Sequence, residues 1–223
     1  MLPALAIAAI VGVALALAAA PRAGGAYDST VTAVSLFGHS VPIFWLAQLL
    51  VVLFAIKLGW LPAQGMMSLR GARTGIAAGL DMLWHLVLPV FCIATYYVAV
   101  VARVARASVL EALHQDYVLT ARSKGLSQRR VLWRHILPNA LIPVVTVIGY
   151  NFGQSLTGAI LTESVFAWPG LGSLFIGSIG NRDYPVLQGI FLFAAATVVL
   201  ANFATDLLYV AIDRRVVLAQ RDG

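Results

Sequence analysis

Seven basic side chains fall between residues 103 and 134, namely Arg103, Arg106, Arg122, Lys124, Arg129, Arg130 and Arg134. Five of them lie in the stretch TARSKGLSQRRVLWRHILPNAL (120–141), which carries Gly125 and is flanked by long apolar runs. Concentrated cations recognise acidic partners, anionic lipid headgroups or nucleic-acid phosphates. Catalytic chemistry has no comparable signature. The chain lacks a Gly-x-x-x-x-Gly-Lys-Ser/Thr segment to cradle nucleotide phosphates, and the glycine-rich FAWPGLG (166–172) has no lysine. Cys92 is the only cysteine and sits in an apolar run, so an intrachain disulfide and a cysteine-rich metal centre are both excluded. Nothing supports a metal role for His135, and no catalytic or metal residue is assigned.

The elements that must hold these residues are set by composition. Of 223 residues, 61% are hydrophobic and 11% charged, far from the quarter or so that is charged in soluble domains. Only a helix of about 20 apolar residues satisfies its own backbone inside hydrocarbon. Five runs meet that requirement, at approximately 3–20, 33–56, 86–102, 139–161 and 186–212. Ala18, Ala19 and Ala20 also resemble a signal-peptide cleavage site, but no positive residue precedes the first run.

Basic residues on short loops set membrane orientation. The 103–134 cations, and Arg214, Arg215 and Arg221 after the last run, place both segments in the cytoplasm. Alternation adds 21–30, with Arg22, to that side. Segments 57–85 and 162–185, holding only Lys57, Arg70, Arg73 and Arg182 as basic residues, become external, and the chain begins outside.

Within the basic loop, Asp116 is expected to cap a helix starting at Tyr117, and Gly125 to end it in a left-handed conformation. Ser127 caps a second helix through Val131, Leu132, His135 and Ile136, and Pro138 marks the turn into the next run or occupies its first turn. A helix-turn-helix with exposed arginines suits a DNA groove, but the adjoining spans leave no tether to reach one. A loop that fixes topology and touches anionic lipid is the plainer alternative.

The stretch DYVLTARSKGLSQRRVLWRHILPNALIPVV resembles the cytoplasmic EAA loop of the permease subunits of bacterial ABC importers, and more narrowly the oligopeptide/dipeptide permease family, which includes nickel and glutathione importers. Ala121 precedes Gly125 by four positions, and Leu137 and Pro138 follow it by twelve and thirteen. Leu119 and Thr120 stand where the motif's glutamate and first alanine would be. SVPIFWLAQLLVVLFAIKLGWLPAQG (40–65), ESVFAWPGLGSLFIGSIGNRDYPVLQG (163–189) and NFATDLLYVAIDRRV (202–216) resemble the family in the same order. Arg214 follows Asp213 where the family often has proline.

The resemblance implies an all-α polytopic membrane helical bundle forming one permease domain over 1–223, with five helices of a six-helix importer permease fold and the first helix missing. It implies a coupling loop at 108–137, whose Ala121, Arg122, Lys124, Gly125, Leu126, Arg129, Arg130 and Leu137, with the following Pro138, meet an ATPase. The implied partners are a second, homologous permease, two cytoplasmic ATPase subunits, an extracytoplasmic substrate-binding protein and the lipid bilayer, with no nucleic acid. ATP and Mg would be used by the ATPases, this chain binding no cofactor and being no enzyme. The expected cargo is a dipeptide or short oligopeptide, carried across the inner membrane, with the C-terminus cytoplasmic. Nickel or glutathione import is the alternative within the family; a non-transporting scaffold or a truncated remnant is the alternative outside it.

Polar residues in or near the spans are His39, Gln48, Asn151, Gln154, Asn202 and Asp206. They read either as helix–helix hydrogen bonds or as a pathway; Asn151, Gln154, Asn202 and Asp206 are the candidate path. Trp84, His85 and Pro89 mark the start of the third span. On the external side, Glu163, Arg182 and Asp183 are candidates for docking the binding protein, with a local ion pair of the last two as the alternative.

Overall fold

A stripe of small residues fixes the first contact of the bundle. The computed structural model describes residues 1–20, 23–68 and 74–212, and the side chains of these apart from 154–159 and 209–212. Helix α1 (Leu2–Ala19) buries Ala4, Ala8, Gly12 and Ala16, one residue per turn on one face. That face lies on α4 (Ile76–Leu113), in a core with Ile93, Ala94, Tyr97, Val101 and Ala105. The approach is close: a Cβ on Gly12 would sit 2.7 Å from Val101 Cγ1. Small residues every fourth position permit such backbone contact between spans.

The run expected as one span at 33–56 is broken. Helices α2 (Ala26–Ser40) and α3 (Ile43–Leu50), the latter continued by a π-helical segment Val51–Lys57, meet at 96°. Pro42 is the cause, because it disfavours helical geometry in the preceding residue, and Val41 is extended (φ −73°, ψ 124°). Ala47 and Leu50 then pack against Leu88, Cys92 and Phe166, which holds the bent arm in place.

Helix α4 is much longer than the 86–102 window. At 38 residues it extends about 57 Å, against about 30 Å of hydrocarbon. Trp84, His85 and Pro89 therefore lie within the helix and not at its start. Apolarity marks where a helix crosses lipid, and the helix continues beyond that zone.

The chain then turns through α5 (Asp116–Ser123) and α6 (Gln128–Val131). From α6 it passes through a π-helical turn, Leu132–Ile136, into α7 (Leu137–Val165) without a break. Pro138 occupies the first turn of α7. Having no N–H, it cannot donate to the carbonyl four residues earlier, which lies in the widened turn. The short apolar α8 (Leu171–Gly180) leads to α9 (Tyr184–Ile212), which packs on α7. Gly149 makes that crossing tight, since a Cβ there would meet Thr205 Oγ1 at 1.9 Å. Among the described residues four helices are long and apolar enough to cross a bilayer, and the bent pair supplies a fifth.

Candidate functional site

The basic loop is built around its buried side. Val118 and Ala121 of α5, Val131 of α6, Ile136 and Ala140 form one cluster with Val109 and Ala112 from the end of α4, with Leu126 packed against it. Helix α5 starts one residue earlier than expected: Gln115 is its N-cap and Asp116 its first residue. The amides of Val118 and Leu119 donate to the Gln115 carbonyl.

At its other end Gly125 is left-handed (φ +75°). Its N–H donates to Arg122 O at 2.9 Å, and the Leu126 N–H donates to Ala121 O at 3.4 Å. This pair of bonds is the Schellman closure of a helix, completed by an apolar contact between the residue after the glycine and the last turn. The spacing of Ala121, Gly125 and Leu126 thus has a local meaning. Ala121 must be small because it is 4% exposed in the cluster, Gly125 must reverse the chain, and Leu126 must return to the core. Ser127 occupies the N-cap position of α6 as expected, but its side chain makes no capping hydrogen bond.

The opposite side is charged and open. Arg122, Lys124, Arg129 and Arg130 are exposed, as are Tyr117, Leu119 and Trp133. Among the described residues none of the four cations is paired with a carboxylate. No atom lies within 4 Å of a Cβ placed on Gly125, so the corner projects into open space. Leu137 is partly buried and Pro138 exposed. Behind the loop a cavity of about 620 Å³ is lined by Leu110, Leu113, Leu119, Leu132, Arg122 and Arg129, among others. A rigid frame thus presents unpaired cations and apolar side chains together, which suits an acidic protein groove.

The candidate path residues are not gathered. Asn151 is half-buried and its amide donates to Val147 O at 2.6 Å, within its own helix. Asn202 and Asp206 share the exposed side of α9, with Ala201 and Thr205 buried on the other. The side chain of Gln154 lies outside the described residues, as do Pro21, Arg22, Arg70, Arg73, Asp213, Arg214, Arg215 and Arg221.

At the far end of the bundle, Glu163 holds the 166–173 turn. Its Oε2 accepts from the N–H groups of Gly172 (2.8 Å) and Ser173 (3.1 Å) at the start of α8. A Cβ on Gly170 would come within 2.3 Å of that carboxylate and displace it from these amides. The Gly65 N–H donates to Phe166 O at 2.9 Å, tying this turn to segment 58–68. Asp183 Oδ1 accepts from Val186 N–H at 3.2 Å in the first turn of α9. Ala167 and Arg182 are left-handed without being glycine (φ +46° and +55°). No ion pair joins Arg182 to Asp183 among the described residues.

Two polar pairs were not singled out by sequence. Asp28, 3% exposed, binds the Arg106 guanidinium through both carboxylate oxygens, with Nη2 at 2.7 Å from Oδ2. It also accepts from the Gly24 N–H at 2.9 Å. Asp81, 5% exposed, accepts from Ser68 N–H (2.6 Å) and Ser68 Oγ (2.8 Å). The available signal was scarcity: with only nine acidic residues in the chain, each one beside a span needs a partner.

Residues 9–218 match the family described as binding-protein-dependent transport system inner membrane component. The chain is 43% identical over 222 residues to a di/tripeptide transport system permease protein of Pseudomonas aeruginosa (strain UCBPP-PA14), covering 93% of this chain and 66% of that protein. It is 38% identical over 226 residues to a dipeptide transport system permease protein of Escherichia coli (strain K12), covering 94% and 67%. An oligopeptide transport system permease protein of Bacillus subtilis (strain 168) is 36% identical over 210 residues, covering 94% and 65%. The chain spans about two thirds of the length of these relatives. In fold it is similar to a chain of the MetNI methionine ABC transporter in an inward-facing conformation, with a TM-score of 0.68, 16% identity, and 95% of this chain and 93% of that one covered.

Proposed function

Because the chain belongs to the family of binding-protein-dependent transport system inner membrane components, we propose that it is the permease subunit of an ATP-driven importer of dipeptides or short oligopeptides. The relatives named for peptide transport support the cargo. The observation that carries the mechanism is the loop around Gly125, a rigid corner whose four cations have no carboxylate partners among the described residues.

In this reading α5 and α6 dock into an acidic groove on a cytoplasmic ATPase, one ATPase for this chain and one for a homologous second permease. Ala121, Leu126, Leu137 and Pro138 shape the loop; Arg122, Lys124, Arg129 and Arg130 set its register on the partner. The ATPases use ATP and Mg. ATP acts through its different interaction free energy with inward-open and outward-open states, and the continuous helix from α6 into α7 transmits the movement. An extracytoplasmic binding protein delivers cargo to the 163–183 side, where Glu163, Arg182 and Asp183 lie, and the C-terminus is cytoplasmic.

The test is uptake of labelled dipeptide, glutathione and nickel by a deletion strain carrying the gene, with variants at Gly125. Asparagine tolerates the left-handed conformation, so Gly125→Asn keeps dipeptide uptake within about threefold. Gly125→Trp projects a large ring where the partner must approach, and abolishes uptake at normal membrane abundance. Dipeptide uptake equal in both variants removes the docking role, and uptake of nickel or glutathione alone replaces the cargo.

A further inference from the structure

Among the described residues His39 Nδ1 and Thr162 Oγ1 are enclosed without a hydrogen-bond partner, and of the two only His39 is ionisable. It lies on the last turn of α2, just before the 96° break at Val41 and Pro42. Its ring stacks on Tyr96 of α4, centroid to centroid at 5.0 Å.

The depth of this site follows from its neighbours. Gly38 is beside Ala99 and the Thr95 carbonyl, and the Cys92 thiol donates to Ile43 O at 3.3 Å. These α4 residues are central to the apolar run 86–102, so the break and the histidine sit near the middle of the bilayer.

An enclosed imidazole nitrogen without a partner costs free energy comparable to a lost hydrogen bond, and more pressing is that no lipid can supply one. Packing alone gives no reason for histidine at a position where phenylalanine would stack on Tyr96 equally well. Interrupted helices at mid-membrane are where irregular backbone borders a cavity and where transporters bind cargo. An ionisable side chain at such a place marks a pathway before it marks a fold.

We infer that His39, with Tyr96 beside it, lies on the translocation route and that its Nδ1 accepts a hydrogen bond from a peptide N–H of the passing cargo. The inference rests on the reading of the chain as a peptide permease. In the conformation described, Nδ1 is shut in; the α2–α3 break is the hinge that opens it in the other state.

The test uses the complete transporter in membranes. Cys92 is the chain's only cysteine and is buried, so Cys92→Ser gives a clean background for His39→Cys. A positively charged, membrane-impermeant methanethiosulfonate reagent is applied in the nucleotide-free and vanadate-trapped states, and labelling is read on this subunit after electrophoresis. The labelling rate of His39→Cys differs by about tenfold or more between the states. Ile10→Cys, at a residue 72% exposed in the middle of α1, gives the background for a position not on the route. No labelling at 39 in either state, or the same rate in both, overturns the inference.

Hydrogen bonding is tested separately. His39→Asn places an amide oxygen near the Nδ1 position and keeps dipeptide uptake, whereas His39→Leu lowers it about tenfold at equal abundance. Equal uptake by the two variants removes that role. Labelling needs no cargo, which separates the two readings. If it fails while dipeptide uptake is intact, only the present inference falls; if labelling is state-dependent and no dipeptide enters, the peptide assignment falls and the route remains.

Discussion

The carboxylate of Asp28 is shared between the Arg106 guanidinium and the Gly24 N–H, so three pieces of chain converge on one side chain. Removing Arg106 leaves the Asp28 carboxylate charged and enclosed, and removing Asp28 leaves a partly exposed guanidinium without its partner, whereas replacing both with neutral hydrogen-bonding groups does less harm. Arg106→Ala and Asp28→Ala are therefore each expected to lower the thermal midpoint of the purified complex, and the double change Asp28→Asn with Arg106→Gln to lower it less than either. A double variant worse than both singles would show that the pair acts through its charge. This clamp could not be read from sequence, because its partners are 78 residues apart. The Gly125 corner could, because its closure is local and glycine announces a left-handed residue. The same closure at Ala167, where the Trp168 N–H donates to Glu163 O at 2.9 Å, and at Arg182, where the Asp183 N–H donates to Ser178 O at 2.9 Å, carries no such mark in the sequence.

At the scale of elements, the seam between α1 and α4 depends on what is missing from side chains. A Cβ on Gly12 would meet Val101 Cγ1 at 2.7 Å and the Ala102 backbone nitrogen at 3.0 Å. Neither neighbour is the free end of a flexible chain, so α1 must move away. Gly12→Leu is expected to destabilise the bundle by about 1–3 kcal/mol, measured as loss of folded, monodisperse complex on heating in detergent. Gly177→Ala is the control, in a helix and with nothing within 4 Å of the added Cβ; it is neutral or stabilising by about 0.5–1 kcal/mol. The positions of the helices were legible because apolar runs of sufficient length have few other fates. Their ends and bends were not. The run at 33–56 hides a right-angle turn, since Pro42 can kink a helix or end it, and only the seat offered by Leu88, Cys92 and Phe166 decides between the two.

For the molecule as a whole, the contacts and the charges assign the same segments to the same ends. Asp28 and Arg106 hold the 24–28 turn against the end of α4, from which α5 and α6 continue. Gly65 with Phe166, and Ser68 with Asp81, gather the other connections at the start of α4. The first end carries Arg103, Arg106, Arg122, Lys124, Arg129, Arg130 and Arg134, and the second, among the described residues, only Lys57 and Arg182. The positive-inside rule speaks to orientation, and it did not use those contacts. Two independent physical sources, the cost of moving cations across lipid and the packing of helices, therefore divide the chain in the same way. Alkaline phosphatase fused after Gly170 is accordingly expected to be active, because it is carried outside, and the same reporter fused after Arg130 to be inactive. The reverse pattern would put the cationic loop beyond the reach of any cytoplasmic ATPase and end the coupling argument. Neutralising Arg122, Lys124, Arg129 and Arg130 together weakens the bias without touching the buried cluster of Val118, Ala121 and Val131. If those charges set orientation, a measurable fraction of the variant inserts inverted; if only docking needs them, insertion is unchanged and uptake alone is lost.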